Sequence, residues 1–501
     1  MKRQRHIIRT IPRTNKKQKF DSLYMDCNSV VYDSYYARAK DTTTPLSEAI
    51  IISETLSRIK QIISHISPRN VIYIAFDGVA PVAKMEQQRS RRYKSWLLTK
   101  IGVDKPQPWN TSSITPGTEF MTKLMARVKD TFCQKESSWN VHNIIVSGSD
   151  EPGEGEHKLF SHIRTHASTD QVAVYGLDAD LIMLALIHAK YCSNIHICRE
   201  APEFGDLRED TRMSDNTLLG VDVNQLSKTI YNEMGCGGYI HGRVLDYIFL
   251  CFFLGNDFMP HFPALNIRTQ GIRVLMETYT NIIKSNPGYN YLISNENTIQ
   301  WNTLYAFIKE LSSKERGLFI SEYKQRMKLT EHYEQIVHDM THKEQWDYIP
   351  VLYRSKEMYI YPFSARWENR YYETLFGTKN IADITQNYLE GLGWVLRYYT
   401  SGCPDWRWKY KYSYAPLLSD LHTAVQQCGG RLPKFPMSSS YIKHCYLPDE
   451  QLKYVIPRAH WAELIPSQKH YIYMDTPLPQ LHEVFEWSFC KYMWEAHVKI
   501  T

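Results

Sequence analysis

A chain of 501 residues is too long for one ordinary domain and divides into two or three lobes. At 43% hydrophobic residues it can build a large core, and no apolar run approaches the roughly 18 residues of a membrane span. Ten cysteines without a single C-x-x-C spacing exclude a zinc knuckle and a disulfide framework, and they fit a reducing compartment. The net charge of +6 is unevenly spread. Residues 1–19 carry eight Lys or Arg and no acid, which leaves −2 for the rest. If seven carboxylates singled out below are shielded by cations, that remainder becomes mildly basic, which suits a polyanionic partner.

Residues 1–20 read as a basic tail without the apolar core of a signal peptide. It is a solvated arm, a nuclear address or an arm that contacts RNA. Leu23–Asp26 reads as a strand ending in a carboxylate. A helix is predicted from about Leu46 to Ile66, where Leu46, Ile50, Leu56, Ile59, Ile63 and Ile66 recur at helical spacing and Pro68 helps end it. Val71–Phe76 is a continuous apolar strand closed by Asp77-Gly78. Asp26 and Asp77 each suit a cap or a turn when taken singly.

Pro81 opens a helix on which Lys84, Gln88, Arg91 and Arg92 fall at i, i+4, i+7 and i+8. Such a face is either plain solvated charge or a clamp for a terminal phosphate, with arginine supplying forked donors. Ser112–Met125 reads as scaffold, with Thr115 as N-cap and Pro116 in the first turn.

Val146–Asp180 carries the chemistry. It reads V-S-G-S-D-E-P-G-E-G-E-H-K, a short helical run, then V-A-V-Y-G-L-D-A-D. Glu154 and Glu156 follow one apolar run (Asn143–Val146), and Asp178 and Asp180 follow another (Val172–Tyr175). In an open parallel sheet these positions fall at the carboxyl ends of strands, where sites form. Four like charges at one edge oppose folding unless a cation sits among them, and an all-oxygen set suits Mg²⁺ or Mn²⁺. The residues thus point to a metal-dependent phosphodiesterase. Leu181–Ala189 and Val244–Leu254 have the length of core helices or strands, and Arg199–Asn216 reads as a charged surface loop. Asp257 follows Gly255 at a helix end, where the dipole disfavours a carboxylate and a metal would explain it. Thr278–Gln345 reads as polar and helical, and Tyr388–Tyr399 as an amphipathic helix. The W-R-W-K-Y-K-Y-S-Y-A-P stretch, Trp406–Pro416, is either a strand with one buried face or a platform for stacking bases.

Several of these stretches together resemble the Xrn family of 5′→3′ exoribonucleases: D-G-V-A-P-V-A-K-M-E-Q-Q-R-S-R-R, I-T-P-G-T-E-F-M, P-G-E-G-E-H-K, Y-G-L-D-A-D-L-I-M-L, L-G-N-D-F-M-P-H and Y-L-E-G-L-G-W-V-L. The likeness continues through W-R-W-K-Y-K-Y-S-Y-A-P-L-L-S-D to W-E-A-H-V, covering most of residues 21–501 and weakest between about 279 and 345. It implies an α/β fold, a PIN/flap-nuclease-like parallel-sheet core with helices on both faces. Residues 21–278 would form that core, 279–345 a helical connection, and 346–501 a second, mostly helical region completing the substrate pocket.

The resemblance makes Asp26, Asp77, Glu154, Glu156, Asp178, Asp180 and Asp257 the metal-site residues for two Mg²⁺ or Mn²⁺ ions. It makes Lys84, Gln88, Arg91 and Arg92 the pocket for a 5′-monophosphate, and Trp406 or Trp408 a residue that stacks on the 5′ nucleotide. Tyr32 stands where the family has a stacking histidine. The Met-Gly-Val-Pro start of the family is replaced by the basic tail, and the chain stops at W-E-A-H-V-K-I-T, about where the family's catalytic part ends. The expected enzyme is a compact monomer that degrades 5′-monophosphorylated single-stranded RNA processively to nucleoside 5′-monophosphates. Its expected partners are that RNA and a decapping enzyme, with no membrane, in the cytoplasm or, through its tail, the nucleus. The rivals are a structure-specific DNA flap endonuclease, disfavoured by P-H-F-P-A-L-N-I-R-T-Q-G-I lacking a double glycine, and a non-catalytic RNA-binding protein on the same scaffold.

Overall fold

The computed structural model describes residues 8–11, 20–40, 46–133, 139–166, 168–176, 178–200, 218–286, 288–427, 446–475 and 480–499. Most of the basic tail, and residues 201–216 of the expected charged loop, lie outside them; the first two residues of that loop, Arg199 and Glu200, belong to a strand instead. Within the tail, Ile8–Ile11 forms a strand (β1) rather than part of a solvated arm. Its Ile11 side chain is buried, and the Ile11 carbonyl meets His65 Nε2 at 3.0 Å. An apolar Ile at each end of I-R-T-I gives this short stretch the means to close a sheet edge that the basic count obscured.

The other strands are β2 (Ser22–Asp26), β3 (Val71–Ala75), β4 (Asn143–Ser147), β5 (Ser168–Tyr175), β6 (Cys192–Glu200) and β7 (Leu218–Asp222). They form one sheet in the order β1-β7-β6-β5-β2-β3-β4. The neighbours from β4 to β6 are parallel, whereas β7 runs antiparallel to β6 and β1 antiparallel to β7. From β2 the chain steps to β3 and β4 on one side, then crosses over to β5 and β6 on the other. The order therefore reverses between β2 and β5, and ligands of open α/β sheets bind at such a switch, beyond the carboxyl ends of the strands.

Both faces of the sheet are covered, as the unbroken apolar runs of β2 and β3 require. Leu23, Met25, Ile72, Ile74, Ala173 and Tyr175 pack under helices α1 (Asn28–Ala39), α2 (Glu48–Ile66) and α4 (Glu119–Phe132). The alternate residues Tyr24, Tyr73, Ala75, Val172 and Val174 pack against α5 (Gly155–Thr165), α6 (Asp180–His188), α7 (Val223–Met234) and α8 (Ile240–Phe252). Helix α2 starts at Ser47, whose hydroxyl accepts from the Ile50 N–H, and ends at Ser67 in the left-handed region with φ 51°. The residue before a proline avoids helical backbone, so Pro68 stops it there. The N-cap of α4 is Thr118 rather than Thr115. Thr115 instead donates to the Ser112 carbonyl inside the preceding turn, an alternative use of the same hydroxyl chemistry.

α3 (Val82–Lys100) projects from the end of β3, and the second region wraps it: Leu452, Val455, Ile456 and Ile465 pack on Ala80, Val82 and Met85. α9 (Gly271–Ser285) and the 36-residue α10 (Trp301–Ile336) lead into that region. Its helix Ile381–Thr400 joins the same core as the sheet. From Asn387 onward only Glu390 and Arg397 of that helix escape full burial, so it is enclosed rather than amphipathic. Residues Trp406–Pro416 form turns and irregular backbone, not a strand. Trp408, Tyr410 and Tyr414 are buried by neighbouring helices, which reproduces a strand-like alternation without a sheet.

A buried ion cluster locks the second region. Glu357 accepts from Arg326 at 2.8 and 2.6 Å, from Arg354 at 2.8 Å and from the Phe489 N–H at 2.8 Å. Burial raises the pKa of its carboxyl, but Arg326 and Arg354 outweigh this and leave it below the ordinary value. Removing one partner of a buried pair costs about 3–5 kcal/mol because the other charge is left uncompensated. Glu357→Ala is therefore expected to lower the thermal midpoint by several degrees at neutral pH. A depressed carboxylate stabilises above its unfolded pKa of about 4.3 and stops doing so as pH falls through the folded value, so the deficit should shrink below about pH 4.

Candidate metal and phosphate site

The carboxyl edge of the sheet gathers the acids. Asp26 ends β2, and Asp77 lies two residues past β3. Glu154 is the N-cap of α5 and Glu156 stands in its first turn. Asp180 opens α6, with Asp178 two residues before it. The N-termini of α5 and α6 thus point at the edge between β4, β3, β2 and β5, and their dipoles favour negative charge there. The dipole argument for Asp257 does not hold: α8 ends at Phe252, and the macrodipole fades within the last turn. Asp257 instead meets the Lys84 ammonium at 2.7 Å.

The seven acids sense one another. Burial raises the Asp26 carboxyl well above its ordinary range, and Asp77, Asp178 and Glu154 push the same way. Burial, then Glu154, raises Asp77, while burial, Glu154, Asp180 and Asp26 raise Glu156 well above its range. Asp180 is pushed up to about 6 by burial and by Asp257 and Glu154. Among the described residues no three acid, histidine or cysteine side chains are placed to hold a metal ion as they stand. What the group does contain is a cation of the protein's own. Lys84 Nζ lies 2.7 Å from both Glu154 Oε2 and Asp257 Oδ2. Burial would lower this ammonium, but Glu154, Asp257 and Glu156 hold it well above its usual value.

The donor set fits hard divalent ions. Asp26 Oδ1 and Glu156 Oε2 are buried with no hydrogen-bond partner. Native proteins rarely leave such atoms orphaned, least of all beside like charges. All the donors are oxygen, the preference of Mg²⁺ and Mn²⁺. Asp77 is already oriented: Asn28 Nδ2 donates to its Oδ2 and the Gly155 N–H to its Oδ1, each at 2.6 Å.

The glycine between the two glutamates has a steric reason. A Cβ on Gly155 would stand 2.6 Å from Asp26 Oδ1 and 3.4 Å from Asp77 Oδ1. Gly155→Ala is expected to push α5 off the sheet edge and slow cleavage by at least about tenfold, since displacements near 1 Å cost up to about a hundredfold. Gly317→Ala, in open space on α10, should leave the rate unchanged. Single-turnover rates on one RNA compare the two.

The basic helix face divides. Lys84 joins the acids. Gln88 is buried with Oε1 unpartnered, and Arg92 keeps Nη1 buried and unpartnered while Nη2 reaches the Ile114 carbonyl at 3.4 Å. Arg91 is exposed. Arg91 and Arg92 line a cavity of about 880 Å³ together with Tyr32, Tyr36, Trp96 and Trp109. Tyr32 and Asp77 both lie close enough to Arg92 to raise its guanidinium, against the lowering by burial, so this cavity adjoins the acids.

Trp408 is buried and stacks on Trp394 with ring centroids 5.1 Å apart, so it is a core residue with no free face for a base. Trp406 is half-buried on a separate cleft of about 720 Å³, near Gly153 and His157, and its carbonyl accepts from the Val82 N–H at the start of α3. Tyr32 and Trp406 thus border different cavities.

Four residues at the edge escaped sequence reasoning. Asn28 follows Asp26 by two places but reads as helix start. Lys158 donates from Nζ to the Phe76 and Gly148 carbonyls at 2.8 and 2.7 Å, tying the β3 end to the β4–α5 loop. The hydroxyl of Tyr398 donates to Glu154, and Tyr399 beside it influences Asp180. Nothing local to R-Y-Y-T marks those two tyrosines, because the acids they meet are over two hundred residues away.

Comparison with known proteins matches residues 1–201 to the XRN 5′-3′ exonuclease N-terminus, and residues 240–351 and 363–469 to the Xrn1 helical domain. Among curated proteins, the chain is 26% identical to 5′-3′ exoribonuclease 1 of Saccharomyces cerevisiae, over 93% of this chain and 39% of that protein. It is 28% identical to human 5′-3′ exoribonuclease 1 over 81% of this chain and 27% of that one. With 5′-3′ exoribonuclease 2 of Gallus gallus it shares 25% over 95% and 63%. The chain spans about a quarter to two thirds of the length of these relatives. The catalytic core of Rad2 in complex with DNA substrate covers 62% of this chain and 78% of its own at 13% identity and a TM-score of 0.32, too slight a likeness to carry an argument.

Proposed function

Since the chain belongs to the Xrn family of 5′→3′ exonucleases, we propose that it is a 5′→3′ exoribonuclease acting on 5′-monophosphorylated single-stranded RNA, such as decapped mRNA, and releasing nucleoside 5′-monophosphates. The observation that carries this reading is the convergence of seven carboxylates from four strand ends and a distant loop, with buried unpartnered oxygens, beside an arginine- and tyrosine-lined cavity.

Asp26, Asp77, Glu154, Glu156, Asp178, Asp180 and Asp257 would hold two Mg²⁺ or Mn²⁺ ions directly or through water. Such ions would supply activation of the attacking water and neutralisation of charge on the scissile phosphate and leaving 3′ oxygen. The protein's own groups do the positioning. Arg91, Arg92 and Gln88 receive the 5′-phosphate, and their distance from the acids sets where the first linkage lies, so one nucleotide leaves per cycle. Lys84, held by Glu154 and Asp257, contributes a fixed positive charge beside the scissile phosphate. Tyr32 and Trp406 give the shortened strand surfaces on which to re-seat. The test is incubation of the purified chain with 5′-phosphorylated RNA in Mg²⁺. Stepwise release of mononucleotides from the 5′ end, stopped by EDTA and slow on 5′-hydroxyl RNA, is the expected result. Internal cuts, or no mononucleotide, would refute it.

A further inference from the structure

Two adjacent tyrosines of the second region enter the acid cluster. The Tyr398 hydroxyl donates to Glu154 Oε1, and the other oxygen, Oε2, is held by Lys84 at 2.7 Å. The Tyr399 hydroxyl stands close enough to Asp180 to hold its carboxyl down, and lies near Glu156 and Asp257 as well. Neighbours in a helix diverge by about 100°. One turn of the helix Ile381–Thr400 therefore touches both carboxylate pairs, the one that opens α5 and the one that opens α6.

The tyrosines are themselves fixed. Tyr398 is sandwiched between Trp394, at 4.8 Å and 21°, and His157, at 3.8 Å and 32°, with Trp408 stacked behind Trp394. Phe258, the neighbour of Asp257, meets Tyr398 edge-on at 5.3 Å. Trp394 Nε1 donates to the Asp405 carbonyl at 2.8 Å, so the loop leading to Trp406 is pinned to the same helix.

Resting on the nuclease reading above, we propose that Tyr398 and Tyr399 are positioning residues that hold Glu154 and Asp180 in the orientation that binds divalent cations, so that the metal affinity of the sheet edge is supplied in part by the second region. The physical reason is specific to a phenol. Carboxylates crowded together swing apart unless something fixes them. A lysine or arginine would fix them by cancelling the charge that attracts the ion. A neutral hydroxyl fixes one oxygen by a hydrogen bond and adds no positive charge; at Glu154, whose Oε2 already meets Lys84, each oxygen still keeps a further lone pair for the metal.

The test removes only the hydroxyls. Tyr398→Phe and Tyr399→Phe, singly and together, are compared with Tyr371→Phe, whose buried hydroxyl serves the Ala415 carbonyl away from the acids. Mn²⁺ binding is measured by calorimetry on the full chain without RNA. Thermal midpoints and RNA affinity are measured in EDTA. The expected result is Mn²⁺ binding weakened roughly tenfold by either change and further by both, as for lost partners of metal ligands elsewhere. Tyr371→Phe should leave it unaltered, RNA affinity in EDTA should persist, and high Mg²⁺ should restore cleavage to the single variants. Mn²⁺ affinity unchanged in both single variants overturns the inference while leaving the nuclease reading intact. A wild-type chain that binds no Mn²⁺ removes the metal-site reading itself, and the inference with it.

Discussion

Asp180→Ala is expected to lower the single-turnover rate of RNA cleavage by roughly a hundredfold to a thousandfold while leaving RNA affinity within about threefold. Removing one group that stabilises transition-state charge typically costs about 3–4 kcal/mol, and each 1.4 kcal/mol is a factor of ten. Asp180 suits the test because it stands at the first position of α6, only partly buried, where alanine keeps the helix. Its deletion also relieves repulsion from Asp257 and Glu154, so the thermal midpoint in EDTA should hold. Quenched-flow cleavage of a labelled 5′-phosphorylated RNA, with filter binding alongside, checks both halves. A rate within threefold of wild type would remove Asp180 from the metal site.

The second large effect concerns the 5′ end. Arg92→Gln is expected to cut the preference for 5′-monophosphate over 5′-hydroxyl RNA, expressed as a ratio of kcat/KM, by about ten- to a hundredfold. A hydrogen bond to a charged group is worth about 1.5–3 kcal/mol, and Arg92 carries a buried guanidinium nitrogen with no protein partner. Arg92→Lys keeps the charge without the fork, so it should recover only part of the ratio. The exposed Arg91 is more strongly screened, and Arg91→Ala should lower the same ratio less. An unchanged ratio in all three variants would place the phosphate elsewhere.

Much of this architecture is legible along the chain because its signals are local. Apolar runs closed by Asp26, Asp77, Glu154 and Asp178 mark strands that end in carboxylates, and the i, i+4, i+7, i+8 spacing from Lys84 to Arg92 marks one helix face. Errors arise where a local pattern has two physical solutions. The alternation through Trp406–Pro416 suits a strand, but helices bury Trp408, Tyr410 and Tyr414 instead. Ile8–Ile11 reads as part of a basic arm until the exposed edge of β7 offers it a partner. Asp257 sits past a helix whose dipole does not reach it, and its partner is a lysine 173 residues earlier.

What the amino-acid order determined by itself is which residues carry charge, where each strand stops, and hence that acids accumulate at one edge of a parallel sheet. Period and capping act over a few residues, so they can be read without coordinates. Only the tertiary structure decided that Lys84 turns into the acids while Arg92 lines the cavity beside them, that Trp408 is core and Trp406 is not, and that Tyr398 reaches Glu154. Those outcomes depend on how helices from distant parts of the chain cross the sheet edge, and packing across such separations leaves no periodic trace in sequence.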